Sequence, residues 1–454
     1  MSRDPFGSRL PLALTALTAT LLFLSAFLSP GLPGPAEAGK GRKPRPGSSG
    51  HHGVTTYQGS ATCRQCHSNK VQEVLDSEHY RWAGKLGKIN DFCTYPDINW
   101  LQQITVAAPD GTSRTAVTGC ASCHVSYGEF TPPAVGGTMP VQADNIDCLI
   151  CHSDAYRRVG TLVNGKPALV IDPSLNKAAV LAAIKKTPSA QACLNCHARA
   201  GGGNAIKQGD LELAQANPPY DLDVHLAATA VDGAGLTCVS CHTVSAHKIA
   251  GKGNDLRVAE GSGMKTCTTC HGTAPHGSGN LNRHYSRDKQ PLDCTVCHIT
   301  TYARGLETET RRDFSAAAEF DPAVGRWEPH RLLGADLTPV WRTWNGTSFF
   351  YNLGTAVSGD TLTLAGPNPG TRLYPFKVHT ARMAVDQNHR LIPLKSAPLW
   401  SRGDLDLARV QGELEVFGTN LTSVRYVETT RYFGLYHQVA PKEAAKQVCA
   451  RCHK

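Results

Sequence analysis

The sequence is poor in the residues that usually build a protein interior. Aromatic residues make up only 7% of its 454 residues, whereas glycine occurs 43 times. Such a polypeptide would form a poor core by itself, because aromatic side chains supply large buried areas and glycine supplies none. Beyond the N-terminal region, no apolar stretch reaches the length of a membrane-spanning helix. We therefore expect a mature chain without a membrane span, whose core needs apolar mass from another source.

The one long apolar stretch runs from about residue 10 to residue 28. It follows Arg3 and Arg9 and precedes the small-residue sequence Ala36-Glu37-Ala38, an order typical of a cleaved secretory signal. An uncleaved membrane anchor is the alternative, since the stretch is close to spanning length, but its Pro, Ser and Thr interruptions favour cleavage. We predict a signal peptide at 1–38, a flexible Gly/Pro/Lys/Arg-rich linker at 39–53, a single domain at 54–454 and a periplasmic location.

Cysteine is confined almost entirely to one repeated pattern. Sixteen of the 17 cysteines form Cys-x-x-Cys-His motifs, of which chance would give roughly 0.03 copies in a chain of this composition. The motifs are Cys63/Cys66/His67, Cys120/Cys123/His124, Cys148/Cys151/His152, Cys193/Cys196/His197, Cys238/Cys241/His242, Cys267/Cys270/His271, Cys294/Cys297/His298 and Cys449/Cys452/His453.

This pattern is the attachment sequence of c-type haem. Two thiols bond to one porphyrin edge, and the adjacent imidazole becomes the proximal iron ligand. A structural zinc site would not need a histidine after every cysteine pair, and a disulfide framework would not need it either. We predict eight covalently bound haem c groups, which supply the missing apolar mass.

The predicted fold is mostly α with extensive loop, a multihaem cytochrome c fold built around a packed haem array. A helix is expected at 172–187 with Ser174 as its N-cap, and another at 444–449. A haem-free segment at about 301–445 contains a small β-containing part near 341–364, where aromatic and polar residues alternate. Only 22 to 24 residues separate some successive motifs, so neighbouring haems should pack closely.

The formal charge of +9 does not indicate a nucleic-acid or membrane partner. Eight haems would add on the order of −16 from propionates and return about +1 per ferric centre. The oxidised holoprotein would be near neutral. We therefore expect no nucleic-acid binding.

Eleven histidines lie outside the motifs and could be distal ligands. His51 and His52 fall in the predicted linker and are poor candidates, and His330 and His389 are the weakest of the other nine. The predicted distal histidines are His79, His225, His247, His276, His284, His379 and His437. Low-spin electron-transfer haems favour two imidazoles, so most of the haems should be bis-His.

Cys93 is the one cysteine outside the motifs. As a lone thiol it is either a small buried apolar residue or a sulfur placed near a substrate. The residues around it do not decide between these two interpretations.

Several runs outside the motifs carry a further pattern. They include Gly87-Lys-Ile-Asn-Asp-Phe-Cys93-Thr94, Asp144-Asn-Ile-Asp-Cys148, Gly201-Gly-Gly-Asn-Ala-Ile-Lys207-Gln-Gly-Asp210 and Tyr374-Pro-Phe-Lys-Val-His379. In these runs the chain resembles the octahaem tetrathionate reductase family of multihaem cytochromes, over about residues 62–453.

The resemblance implies an enzyme rather than a plain electron wire. It implies seven bis-His haems and an active-site haem on the second motif, with a lysine amine as distal ligand and Cys93 nearby. Lys207 best matches that lysine, with Lys185 and Lys186 as fallbacks. The implied substrate is a small inorganic anion, tetrathionate or nitrite, or else hydroxylamine, and the electron donor is a partner cytochrome or a quinol-linked protein.

Two other functions stay open. A non-catalytic conduit would have eight bis-His haems. A hydroxylamine oxidoreductase would carry a covalent tyrosine link to its catalytic haem.

Overall fold

The structure is a computed structural model that describes residues 51, 54–81, 98–134, 137–251, 263–277 and 279–453. The predicted signal peptide and most of the predicted linker lie outside these residues. The described helices are α1 (Ser60–Leu75), α2 (Glu78–Arg81), α3 (Leu149–His152), α4 (Lys177–Ala182), α5 (Ala190–His197), α6 (Cys238–Cys241), α7 (Cys267–His271), α8 (Asn282–Ser286), α9 (Cys294–His298), α10 (Ser396–Arg402), α11 (Leu405–Phe417), α12 (Lys442–Ala445) and α13 (Cys449–Cys452), with 3-10 turns at Cys120–Cys123, Leu213–Ala216 and Lys446–Val448.

The strands belong to several sheets. They are β1 (Gln102–Ala107), β2 (Ser113–Thr118), β3 (Gly128–Glu129), β4 (Arg158–Val163), β5 (Lys166–Ile171), β6 (Val244–Ser245), β7 (Lys248–Ile249), β8 (Thr308–Asp313), β9 (Glu319–Asp321), β10 (Arg326–Glu328), β11 (His330–Gly334), β12 (Val340–Trp344), β13 (Ser348–Phe350), β14 (Thr361–Pro367), β15 (Arg372–Val385) and β16 (Arg425–Gly434).

The prediction of a mostly α protein with a small β part is corrected by a seven-stranded sheet between residues 308 and 434. Helix and strand contribute equally, 26% each. The sheet runs in the order β11-β8-β15-β16-β14-β13, with β12 also paired to β15. Most of its core strand β15 is buried, because strands flank it and helices α10 and α11 pack on the sheet. Only β12 to β14 overlap the segment near 341–364 that was expected to hold strands.

The sheet has its own apolar core. Residues of β14, β15 and β16 pack against the two helices. Fully or almost fully buried members are Leu364, Ala381, Val385, Leu391, Leu399, Ala408, Val427 and Phe433. The long strand was hidden in the sequence because Lys377, His379 and Arg382 interrupt its apolar pattern.

The motif-bearing part is built from short helices and turns. The helix expected at 172–187 is shorter, from Lys177 to Ala182, and its N-cap is Asn176, whose side chain accepts from the Ala179 N–H. Ser174 instead donates to Asp172 in the preceding turn. The segment expected to be helical at 444–449 is a continuous run of α and 3-10 turns. Within the described residues, no helix combines the length and apolarity that crossing a membrane requires.

Candidate functional site

Seven of the eight motif histidines lie opposite a second histidine ring, with ring centroids 5.7 to 6.2 Å apart. An imidazole–metal bond of about 2 Å on each side, added to the two ring radii, accounts for such a gap. The paired rings therefore fit one iron atom between them. The pairs are His67 with His51, His152 with His247, His197 with His79, His242 with His437, His271 with His225, His298 with His276 and His453 with His284.

Helical turns place the two sulfurs of each motif on one side of the chain. Cysteines three residues apart on a turn face the same way, which suits attachment to a single porphyrin edge. Local caps start these turns: Ser189 accepts from the Ala192 N–H before the fourth motif, and Asp293 accepts from the Thr295 N–H at the seventh. The local sequence thus favours the helical turns that place the two sulfurs on one side for haem attachment.

The motif cysteines differ in how far the polypeptide itself covers them. Cys66 of the first motif and Cys270 of the sixth are exposed, because residues 64–70 and 269–277 around them are exposed and mostly polar. No described apolar core cluster includes either residue. The exposed set is Cys66, Cys123, Cys267, Cys270, Cys449 and Cys452, and the other ten motif cysteines are partly buried. Cys66 and Cys270 therefore stay predicted attachment residues, but at the surface of the polypeptide.

Hydrogen bonds at Nδ1 fix several of the paired rings. His152 Nδ1 donates to the Lys185 carbonyl at 2.8 Å, and His242 Nδ1 donates to the Ala250 carbonyl at 2.9 Å. His247 Nδ1 pairs with Glu73 at 2.8 Å. A bond at Nδ1 leaves Nε2 for the metal, which is how proteins orient ligating histidines.

Burial favours the neutral form, which binds metal, in several of these rings. It lowers the pKa of His197 to about 4, and it also lowers the pKa of His79 and His225. Burial would lower the pKa of His437 too, but its hydrogen bond to Asp210 raises the value. Neutral imidazole is the ligating form, so the lowered values favour iron binding.

The histidines that lie opposite motif histidines differ from the predicted distal ligands by one residue. His51, which was set aside as part of the linker, lies opposite His67. His379, which was predicted as a distal ligand, is not opposite any motif histidine ring among the described residues, because its Nε2 is bonded to Glu309 at 2.7 Å. No sequence signal marks His51, since it lies in a run of glycines beside another histidine.

The second motif has no histidine partner in the described part of the chain. His124 is buried among Tyr80, Trp100 and Phe130, and its Nε2 donates to the Tyr80 carbonyl at 2.7 Å. Burial lowers the pKa of His124 to about 4. Among the eight motifs, the second alone folds as a 3-10 turn.

Sulfur contacts order the motifs in space. The sulfur of Cys63 in the first motif neighbours that of Cys148 in the third, and the sulfur of Cys123 in the second neighbours that of Cys196 in the fourth. The same contact joins the fourth motif to the fifth through Cys193 and Cys238, and the sixth to the seventh through Cys267 and Cys294. The porphyrin edges held by these sulfurs must therefore be close neighbours.

Lys207 lies beside the second motif. The Cys196 hydrogen bond lowers the pKa of the Cys123 thiol to about 7, and the charges of Arg158 and Lys207 lower it further. The fallback lysines are elsewhere: Lys185 is exposed and paired with Asp154, and Lys186 is exposed. Of the three predicted lysines, Lys207 is the one that the structure brings to the second motif.

A small cavity adjoins Lys207 and contains several charged side chains. It is lined by Gly201, Ile206, Lys207, Glu309, Arg312, His379 and Phe433. Strands β8, β15 and β16 lie side by side in the sheet and supply the last four of these residues. The sheet of the motif-free segment thus forms one wall of the cavity beside the second motif.

Lys377 anchors the loop that carries Lys207. Its fully buried ammonium donates to the carbonyls of Ile206 at 3.0 Å and Lys207 at 2.8 Å, and to the hydroxyl of Thr308 at 2.5 Å. Burial lowers the pKa of Lys377 to about 7. Sequence reasoning missed this residue, because a single lysine in a strand carries no signal of such a role.

The remaining predicted residues do not join this site. Cys93 lies outside the described residues. His330 is on the surface, paired with Glu319, and His389 is exposed in a turn.

Comparisons with known proteins agree with this geometry. Residues 316–454 match the family model of bacterial cytochrome c. A solved octahaem cytochrome c from Shewanella oneidensis has the same fold, with a TM-score of 0.64, 24% identity and coverage of 87% of this chain and 90% of that one. The chain is a multihaem c-type cytochrome.

This cytochrome also has a relative in Archaeoglobus fulgidus. The two are 31% identical over 255 residues, which is 47% of this chain and 82% of the relative, an uncharacterised protein, so they belong to one family. The motifs and these matches together support covalently bound haem c and a redox protein.

Proposed function

We propose that this cytochrome is a periplasmic octahaem reductase. Seven haems with two histidine ligands each would relay electrons, and the haem on Cys120, Cys123 and His124 would be the site of reduction, with Lys207 as its distal ligand. The substrates would be tetrathionate, nitrite or hydroxylamine. Cys93 would supply a sulfur near that site.

One contrast carries the proposal. Seven motif histidines face a second histidine ring, whereas His124 faces none among the described residues, and Lys207 lies near the cysteine of that same motif. A haem without a second imidazole has a replaceable ligand position. Such a position is what separates a catalytic haem from a relay haem.

A lysine suits this position, because its amine binds iron only when it is deprotonated. Once displaced, the same side chain becomes an ammonium that attracts an anion. Arg312 in the same cavity is paired with the Glu309 carboxylate, so the charge that favours an anion would come from Lys207. Tetrathionate and nitrite are both anions.

The order of the motifs supports an electron path that ends at the second motif. Direct sulfur contacts link the fifth motif to the fourth and the fourth to the second. The electron donor would be another cytochrome or a quinol-linked protein.

Reoxidation of the dithionite-reduced holoprotein tests the proposal. Tetrathionate, nitrite and hydroxylamine are added in parallel, and haem absorbance reports the oxidation rate. We expect reoxidation by at least one of them, and its loss in Lys207→Ala but not in Lys186→Ala, a matched exposed lysine. Cys93→Ala should slow the tetrathionate reaction most, since a thiol assists disulfide-type exchange.

An electron conduit is the competing function. It predicts that all haems are low-spin with two histidine ligands, and that no added substrate reoxidises the protein. A hydroxylamine oxidoreductase would instead show a tyrosine cross-linked to one haem peptide by mass spectrometry. Either result would remove the proposed reductase.

A further inference from the structure

A histidine, a glutamate and an arginine form a buried cluster in the wall of the cavity beside Lys207. His379, Glu309 and Arg312 are each 3% exposed. His379 Nε2 donates to Glu309 Oε1 at 2.7 Å, and Arg312 donates to both carboxylate oxygens at 2.9 and 2.8 Å. All three side chains line the cavity.

The cluster holds the imidazole ring in one orientation. Burial would raise the pKa of Glu309, but Arg312 and His379 lower it to about 2, so the carboxylate stays charged and keeps its two partners. Arg312 also donates to the Gly201 carbonyl at 3.2 Å, which ties the cluster to the loop of Lys207. The histidine is thus linked to the loop of Lys207 through Glu309 and Arg312.

Other charged groups surround the cluster on every side. Lys377 lies on the same strand as His379, and Arg431 is its register partner on β16. Asp210 belongs to the Lys207 loop and interacts with Lys377. A histidine in such a place, with its edge in a cavity and a carboxylate behind it, has the arrangement of a general acid–base catalyst.

We propose that His379 is a catalytic proton-relay residue for the substrate bound in this cavity, and that the site is therefore built for reductions that consume protons. The inference rests on the proposed function and deepens it, since it divides the candidate substrates by their chemistry. Glu309 is the positioning residue that holds the ring.

Two candidate substrates take up the same number of electrons but differ in protons. Hydroxylamine takes two electrons and three protons: its N–O bond breaks, the oxygen leaves as water and the nitrogen becomes ammonium. Tetrathionate takes two electrons and no protons: its central S–S bond breaks and two thiosulfates leave. In both cases dithionite supplies the electrons through the haems, so a relay of protons matters only for hydroxylamine.

The resting state of the ring is compatible with this role. Burial lowers the pKa of His379 to about 4, so the imidazole is neutral and has a lone pair that can accept a proton. Hydroxylamine enters uncharged, so the negative charge that raises the pKa of the imidazole would be that of the two electrons delivered for its reduction. The ring would take up a proton as these electrons arrive and pass it to the nitrogen or to the leaving oxygen.

The test compares two variants in the reduced holoprotein. His379→Gln removes the relay but keeps a polar side chain of similar size, and His330→Gln is the control, because His330 makes the same 2.7 Å bond to Glu319 at the surface. We expect His379→Gln to slow reoxidation by hydroxylamine about a hundredfold, as loss of a general acid–base catalyst does. Reoxidation by tetrathionate should stay within about twofold of the unchanged protein, as should both rates in the control.

Solvent deuterium gives a readout that a merely structural role would not move. The hydroxylamine rate of the unchanged protein should fall in D2O. His379→Gln should show a different ratio of the rate in H2O to the rate in D2O. Glu309→Asp keeps the carboxylate but shifts it. Its hydroxylamine rate should lie between those of the unchanged protein and His379→Gln. It is also the variant to use if His379→Gln loses haem or fails to fold.

The outcomes separate this inference from the proposed function. An equal loss of both reactions in His379→Gln, or no loss in either, overturns the inference and leaves the reductase standing. If the unchanged protein reduces tetrathionate but not hydroxylamine, the inference is also overturned and the reductase also stands. If the unchanged protein reduces neither, the proposed function and the inference fail together.

Discussion

Replacing Glu309 by glutamine tests how far the buried cluster stabilises the protein. The folded-state pKa of Glu309 is about 2, against an ordinary value of 4.5. A difference of about two and a half pKa units corresponds to about 3 kcal/mol of stability at neutral pH, and the side chain is only 3% exposed, so solvent screening reduces this little. We expect Glu309→Gln to lose stability of this order.

The size of the effect can be read from thermal unfolding. Unfolding entropy is about 2.1 cal/mol/K per residue, so in a chain of about 400 residues a loss of 3 kcal/mol lowers Tm by about 4 °C. Circular dichroism in the amide region would follow the transition. Glu319→Gln is the matched control, because Glu319 makes the same 2.7 Å bond to a histidine but is 64% exposed. Exposed pairs contribute at most about 1 kcal/mol, so its Tm should move by about 1 °C or less.

The pH dependence has a definite direction. Because the pKa of Glu309 is lower in the folded than in the unfolded chain, its contribution is complete above about pH 4.5 and is lost as the pH falls through about 2. The Tm difference between the unchanged protein and Glu309→Gln should therefore be full at pH 6 and less than half as large at pH 3. Equal shifts for Glu309→Gln and Glu319→Gln, or a difference that does not change with pH, would refute the reasoning.

Three further predictions follow from other contacts. His51→Ala should convert one low-spin haem to a high-spin one, because His67 then has no distal partner, and electron paramagnetic resonance would show it; His389→Ala should leave the spectrum unchanged. Lys377→Met should remove the lysine-ligated signal while the bis-His signals persist, because the loop of Lys207 loses the two hydrogen bonds that hold its carbonyls; an unchanged spectrum would argue against the anchoring role. Gly412→Ala should cost about 1–3 kcal/mol, because a Cβ there would lie 2.0 Å from a carbonyl oxygen, and a thermal melt without a lowered Tm would contradict this.

The motifs were predictable because haem attachment is encoded locally. Two thiols and an imidazole must lie within five residues, so the pattern is visible wherever it occurs. Six of the seven predicted distal histidines lie opposite a motif ring for a related reason: few histidines were available, and haem needs a second imidazole. The choice between His51 and His379 could not be made, since it depends on contacts that are distant along the chain.

The exposure of the motif cysteines could not be predicted in the same way. The first and sixth motifs have the same five-residue pattern as the others, yet Cys66 and Cys270 are exposed whereas Cys148 is partly buried. Cys148 packs beside an apolar cluster that includes Trp100 and Ile146. Burial is set by such distant packing partners, and the motif itself does not encode them.

Most strands of the sheet could not be predicted from the sequence, because polar residues interrupt their apolar pattern. Strand β15 contains Lys377 and His379 among apolar residues, and in a sequence these read as exposed positions. In the fold they are buried and satisfied by Glu309, Thr308 and the Lys207 loop. Alternation of apolar and polar residues fails where polar side chains face an internal cavity instead of water.

The sulfur contacts between different motifs also bear on how the protein is made. The sulfurs of Cys63 and Cys148 are neighbours, as are those of Cys267 and Cys294. In an oxidising compartment, cysteines so placed in different motifs would be able to form disulfides wherever no haem held them. Such a crosslink would block two attachment sites at once. We therefore expect assembly to keep the cysteines reduced until their haems are attached.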